Sequence, residues 1–294
     1  AAEPSVAKGR RRAGQPPVRL LARWAPAVLG ALFSVGAAAD SLVLQGAFTQ
    51  GGLVEGHVPT GSRVTLDGTA IHLGEGGVFL LGFDRDAKPH ATLEILYPDG
   101  SSERRLLMIE QRRYEVQRIN GLPPRTVTPD AEGLKRIAAD RALIAAAREV
   151  ESATLSFQDG FAWPATGAVS GIYGSQRILN GEPRQPHFGV DVAAPLGAPV
   201  SAAGSGVVSL AEDDLMLTGK TVVIDHGLGL NTIYSHLNDI AVRLGEEVAK
   251  GQLIGHVGAT GRVTAPHLHW GAFLFQTPLD PALLVGPMPL SSGQ

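Results

Sequence analysis

The sequence predicts a mainly β protein, with a small N-terminal antiparallel β-domain, a linker helix and a larger C-terminal antiparallel β-domain. Three observations predict it. The 294 residues include 37 glycines and 20 prolines, which cut the chain into short segments. Short alternating runs broken by glycine pairs fill residues 41–110, and strand-and-turn patterning returns from Phe161 onward. A helical apolar spacing stands between them. Hydrophobic residues make up 44% and charged residues 18%, enough for a core and too apolar for wholesale disorder. Cysteine is absent, which excludes disulfides, thiolate nucleophiles, Cys-ligated zinc and iron–sulfur clusters together. A metal site in this chain must draw on His and carboxylates.

Residues 1–39 read as a cleaved signal peptide. Six basic residues stand there against Glu3 alone, and the stretch from Trp24 to Ala39 carries no charge. Ala37, Ala38 and Ala39 offer small residues at a cleavage site before Asp40. The apolar run is shorter than the roughly 20 residues of a membrane span, and Pro26 interrupts it, so no stable span is expected. The net charge of −3 divides unevenly. Beyond the leader remain 19 basic and 27 acidic residues, a net −8 over residues 40–294. An acidic body argues against nucleic acid as a partner, because phosphate neutralisation needs a basic surface.

Residues 40–111 form the predicted small β-domain. Ser62 to Leu66, Asp67-Gly68 and Thr69 to Leu73 spell a hairpin with a primed turn. Val78 to Gly82 is a third run, and Ala91 to Tyr97 with Arg104 to Ile109 flank the turn Asp99-Gly100. His57, His72 and His90 are scattered here without ligand spacing and read as surface or structural residues. Residues 112–160 are linker and helix. Asn120 to Pro124 is turn-rich, Thr128 can cap a helix with Pro129 in its first position, and Leu134, Ile137, Ile144 and Ala147 mark its apolar stripe. Residues 161–286 form the larger domain and 287–294 a tail. Its candidate strands are Val200 to Leu210, Thr221 to Asp225, Asn231 to His236, Leu253 to Val257 and His267 to Phe275.

The chemistry concentrates in that domain. Six of nine histidines lie after residue 186: His187, His226, His236, His256, His267 and His269. Two spacings stand out. His187 and Asp191 are four apart, about 13 Å on a straight strand, but Gly189 permits a bend and Pro186 disfavours helix. His267 and His269 are two apart, about 6.6 Å on one strand face, with Leu268 turned to the opposite layer. Three protein ligands and an open position make a catalytic zinc site. His187, Asp191 and one of His267 and His269 supply three, leaving the other histidine, with His236 a further candidate, as base or charge stabiliser.

Longer strings carry a family likeness. Ser170 to Arg177, Asn180 to Pro195, Tyr234-Ser235-His236-Leu237, Gly251 to Gly255, Gly258 to Arg262 and Pro266-His-Leu-His-Trp270 occur in one order across roughly residues 165–285. Together they closely resemble the lysostaphin/LytM-type zinc metallopeptidase family. The resemblance implies zinc ligands at His187, Asp191 and His269, and catalytic histidines at His236 and His267. It implies a compact antiparallel β-fold with a groove across the metal, and cleavage of peptide cross-links in bacterial peptidoglycan. The expected protein is thus an exported zinc metalloendopeptidase, periplasmic or secreted, with peptidoglycan stem peptides as substrate and envelope proteins as possible partners. Ala265 stands where the family usually has Gly, and Trp270-Gly271 replaces its aromatic–acidic pair. The competing reading is a regulatory or binding module that activates other cell-wall hydrolases. Relatives of that kind have lost zinc ligands, whereas all three ligand positions and both catalytic histidines are present here.

Overall fold

The structure is a computed structural model and describes residues 42–120, 130–152 and 154–289. The predicted leader, the linker from Gly121 and the end of the tail lie outside the described residues.

Eight strands precede the helix. They are β1 (Val43–Gly46), β2 (Leu53–His57), β3 (Arg63–Leu66), β4 (Thr69–Ala70), β5 (Val78–Gly82), β6 (His90–Leu96), β7 (Ser102–Met108) and β8 (Val116–Ile119). The first seven form two antiparallel sheets, β1-β2-β5 and β4-β3-β6-β7. The predicted Asp67-Gly68 turn joins β3 to β4, with φ of 48° and 80°. Positive φ at both positions is what a two-residue primed turn requires, and it matches the strand twist. The second hairpin strand is shorter than expected, since only Thr69 and Ala70 pair.

Strand β5 explains its unbroken apolar run. Phe79 and Leu81 pack into the N-terminal core with Val54, Val64, Leu93 and Ile95. Val78 and Leu80 point the other way, against Leu228, Leu230, Ala272 and Leu279 of the C-terminal region. Period-two alternation therefore places the two faces of one strand in two cores.

The helix α1 (Ala131–Arg148) begins later than predicted. Its cap is Asp130, whose Oδ1 accepts from the Gly133 N–H at 2.8 Å, rather than Thr128. Asp serves an N-cap as well as Ser or Thr does. Ile137 and Ala147 are buried, and Ile144 packs against the cluster that holds Ala147, but Leu134 is 50% exposed. The predicted stripe was one residue too long: the helix buries Gly133, Ile137 and Ala147 and leaves Leu134 to solvent.

Twelve strands follow: β9 (Ala168–Gly171), β10 (Gln176–Leu179), β11 (Glu182–Pro183), β12 (Val190–Ala193), β13 (Pro199–Ser201), β14 (Gly206–Leu215), β15 (Gly219–Asp225), β16 (Leu230–Ile240), β17 (Glu247–Val248), β18 (Leu253–Val257), β19 (Leu268–Leu274) and β20 (Thr277–Leu279). The main sheet runs β17-β14-β15-β16-β19-β12-β9, with β13, β18 and β20 attached to its sides. Val192, Val222, Ile224, Tyr234, Leu268 and Trp270 fill its core. Two expectations change. The run predicted as one strand from Val200 to Leu210 divides into β13 and β14, which pair with different neighbours, β18 and β15. His267 precedes β19 and bridges only to Gly258. A separate small sheet, β11-β10-β8, pairs the linker strand β8 in parallel with β10.

Candidate metal centre

Strand register assembles the centre. β19 lies between β12 and β16, so His269 sits opposite Asp191 on one side and Ser235 on the other. Alternation sends Leu268 and Trp270 into the core and leaves His269 on the other face, beside Asp191. His187 stands just ahead of β12. Its backbone is clipped to the turn after β9 by two bonds, Gly174 N–H to the His187 carbonyl and His187 N–H to the Ser175 carbonyl, both 2.8 Å.

Three donor atoms converge. His187 Nε2, His269 Nδ1 and Asp191 Oδ1 lie 3.0 Å from one another. Tetrahedral coordination at about 2.0–2.1 Å sets donors about 3.3 Å apart, so this triangle has nearly the size of one face of a metal tetrahedron. Side-chain exposures of 23%, 24% and 18% for His187, Asp191 and His269 keep one side of the triangle open to a further ligand.

The surroundings fit a metal as well. His187 Nδ1 donates to the Ile172 carbonyl at 3.1 Å, which leaves the Nε2 lone pair for coordination. Two glycines make room for the donors. A Cβ at Gly171 would fall 2.3 Å from Asp191 Oδ2, and one at Gly189 would fall 2.7 Å from His269 Cε1. Burial raises the Asp191 pKa, but the hydrogen bonds and charges of His187 and His269 outweigh it and hold the carboxyl far below the usual range. Burial pushes the His269 ring below the ordinary imidazole value, with Asp191 opposing. A neutral ring beside an ionised carboxylate is the donor state that metal binding requires.

His236 and His267 border the same volume. Their ring centroids are 4.9 Å apart, and His236 is 6.2 Å from the His269 ring. His267 Nε2 is 3.7 Å from Asp191 Oδ1. Each ring is pinned through Nδ1: His236 donates to the Thr260 carbonyl at 2.9 Å, and His267 to the Ala265 carbonyl at 2.9 Å. Both therefore keep Nε2 available. Burial pushes His236 down to about 4. Its φ is +64°, an unusual backbone state for a non-glycine residue that a bulge in β16 holds in place.

The remaining histidines lie elsewhere. His226 is fully buried between the Ser205 carbonyl, 2.6 Å from Nδ1, and Thr232 Oγ1, 2.8 Å from Nε2. Burial pushes it down to about 4. His256 pairs with Asp239 at 2.8 Å. Sequence reasoning missed Gly171 and the carbonyls of Ile172 and Thr260. A glycine inside a strand pattern was the one available signal, since it marks a close backbone approach.

Comparison with known proteins places this arrangement. The family model described as peptidase family M23 matches residues 185–281, a span that holds His187, Asp191, His236, His267 and His269. A crystal structure of a putative M23 peptidase from Pseudomonas aeruginosa is 30% identical, with a TM-score of 0.59, covering 81% of this chain and 95% of that one. The chain belongs to peptidase family M23. M23 membership implies a metal ion, and the donor triangle is compatible with one. Among curated relatives, the peptidoglycan DD-endopeptidase ShyA of Vibrio cholerae is 44% identical over 95 residues, 32% of this chain and 22% of ShyA. The DD-carboxypeptidase/endopeptidase Mpg of Neisseria meningitidis is 40% identical over 103 residues, 35% of this chain and 24% of Mpg. The chain thus spans under a quarter of the length of these curated relatives.

Proposed function

We propose that this M23 protein is an exported zinc metalloendopeptidase that hydrolyses peptide cross-links of peptidoglycan. The observation that carries the reading is the 3.0 Å triangle of His187, Asp191 and His269, with two further histidines bordering it. Zinc suits two imidazoles and a carboxylate with one position open. When bound there, zinc supplies Lewis-acid polarisation and lowers the pKa of water to about 7. His187, Asp191 and His269 are the ligands in this reading.

His236 and His267 share the roles of base and oxyanion stabiliser. With Nδ1 of each ring committed to a backbone carbonyl, Nε2 is the atom each presents, one ring to take a proton from the attacking water and the other to stabilise the developing oxyanion. The burial that keeps His236 uncharged at neutral pH preserves that lone pair. As the C–N bond breaks, the proton returns to the leaving amine, so the ring ends as it began.

Peptidoglycan as substrate follows from the names of ShyA and Mpg. The leader over residues 1–39 supports export to the periplasm or beyond, where envelope proteins are available partners. No helix among the described residues is long and apolar enough to cross a membrane. A direct D-alanyl–diaminopimelate cross-link is the favoured bond, with a glycine bridge as the alternative. The test is digestion of purified sacculi by the mature protein, with products identified by mass spectrometry, with zinc and after chelation. Release of uncross-linked muropeptides only with zinc supports the reading. Intact sacculi under both conditions overturn it.

A further inference from the structure

The N-terminal β-layer reaches the back of the metal centre. Arg85, in the loop between β5 and β6, donates from Nε to the Gly174 carbonyl at 2.7 Å. Its side chain is only 13% exposed. Its guanidinium carbon also lies 4.6 Å from the centroid of the Tyr114 ring, while Arg112 approaches the same ring at 5.3 Å. Tyr114 lies flat against Gly174, so closely that a Cβ there would fall 2.1 Å from the ring. Arg112 anchors the assembly by donating to Asp280 Oδ2 at 2.8 Å and to the Gln50 carbonyl at 3.1 Å. The next strand is tied in by the Gln176 N–H, which donates to the Glu115 carbonyl at 2.9 Å.

These contacts converge on one short turn, residues 172–175. That turn holds His187 through three hydrogen bonds. It supplies the Ile172 carbonyl to His187 Nδ1, the Ser175 carbonyl to the His187 N–H, and the Gly174 N–H to the His187 carbonyl. Ser175 Oγ in turn donates to the Ile172 carbonyl at 2.9 Å. The exposed side of the turn carries Ile172, 48% exposed, so core packing of that side chain does not fix the turn. Tyr173 is buried, and its hydroxyl donates to the Pro278 carbonyl. Gly174, with φ of +82°, has no side chain of its own to pack.

We infer that Arg85 and Tyr114 are positioning residues for His187. They brace the 172–175 turn from outside, and the turn sets the ring orientation and the Nδ1–H tautomer of His187. The peptidase site is thereby completed by residues outside the 185–281 span that the M23 family model matches. The inference rests on the metal reading above. It goes beyond it in assigning part of the metal affinity to the N-terminal layer. Neither residue touches the donors, so the effect passes through backbone carbonyls and is read in affinity and tautomer. Orientation of a ligating histidine by its second nitrogen is worth about 10–100-fold in metal affinity.

The test compares full-length mature protein with Arg85→Met, which keeps an apolar stem over Tyr114 but removes the Nε–H donor. Arg104→Met on the exposed face of β7 is the control for loss of an arginine. Zinc affinity is measured by competition with a chromogenic chelator. The His187 Nδ1–H resonance of metal-free protein is followed by NMR, with the His226 Nδ1–H, bonded to Ser205, as internal reference. The expected result is zinc binding weakened about tenfold in Arg85→Met and unchanged in Arg104→Met. The His187 Nδ1–H should lose its protection from exchange while that of His226 keeps it. Should Arg85→Met fail to fold, Tyr114→Leu carries the test with the same expected weakening. Wild-type affinity in the folded variant, or equal loss of both resonances, overturns the positioning role. Failure of wild-type protein itself to bind zinc overturns the metal reading instead, so the two failures are separable.

Discussion

Gly171→Ala tests the metal centre without removing a ligand. A Cβ at this position would sit 2.3 Å from Asp191 Oδ2 and 2.9 Å from its Cγ. Favourable non-bonded contact between heavy atoms begins near 3.5 Å, so the carboxylate must retreat by about 1 Å. Coordination tolerates only about 0.2 Å around its ideal distances. The retreat therefore costs the ligand its geometry. The backbone φ of Gly171 is not in the left-handed region, so alanine strains nothing by conformation. The expected outcome is zinc binding weakened by about 10–100-fold, equivalent to about 1.4–2.8 kcal/mol. The thermal unfolding of the metal-free protein should change little, since the clash is with a side chain and not with backbone. Competition with a chromogenic chelator reads the affinity and calorimetry reads the stability. Equal zinc affinity in Gly171→Ala and wild type would refute the cradle.

Three further predictions follow from the same geometry. His269→Ala should lose both zinc and sacculus hydrolysis, whereas His236→Ala and His267→Ala should keep zinc while hydrolysis falls roughly 10²–10⁴-fold. Zinc content and hydrolysis measured together on all three check the division of roles, and zinc retained by His269→Ala but lost from His267→Ala reverses it. His226, fully buried with a folded pKa of about 4 against 6.5 when unfolded, contributes stability that is complete above pH 6.5 and is lost as pH falls toward 4. The difference in unfolding free energy between wild type and His226→Gln should therefore shrink by roughly 3 kcal/mol across that window, and denaturant titrations that show a pH-independent difference contradict it. Finally, N-terminal sequencing of protein from the native cell envelope should find a chain beginning near Asp40, and a mature chain retaining Arg10 to Arg12 rules out cleavage.

Local chemistry was readable in the sequence; long-range partnership was not. Asp67-Gly68 announced its turn because positive φ at two consecutive positions restricts residue type. The run Val78 to Gly82 announced a strand, although its amino acids alone did not say that it serves two cores. His187 and Asp191 were legible as a spacing, but only the bend at Gly189 and the register of β12 against β19 bring their donors together with His269. The pairing of β8 with β10 links residues 116–119 to 176–179, and neither segment carries a pattern that names the other. The atoms that orient His187, His236 and His267 are the carbonyls of Ile172, Thr260 and Ala265. Every residue has a carbonyl, so no residue type marks one that orients a ring. The same reasoning makes Ala265 in place of glycine unimportant to His267, which uses its backbone.

Strand β5 also decides how the molecule comes apart. Val78 and Leu80 bury their side chains against Leu228, Leu230, Ala272 and Leu279, at about 1.5–3 kcal/mol each. Phe79 and Leu81 do the same on the other face. Pulling this strand from either layer strips the other of a wall, so the two layers should melt together. Excision of the N-terminal segment by a protease would leave the core around Tyr234 and Trp270 in place but bare the side chains that β5 covers. It would uncover the greasy seam around Leu230 and favour clumping of the remnant. Heat should accordingly produce one cooperative endotherm for the described body, not two.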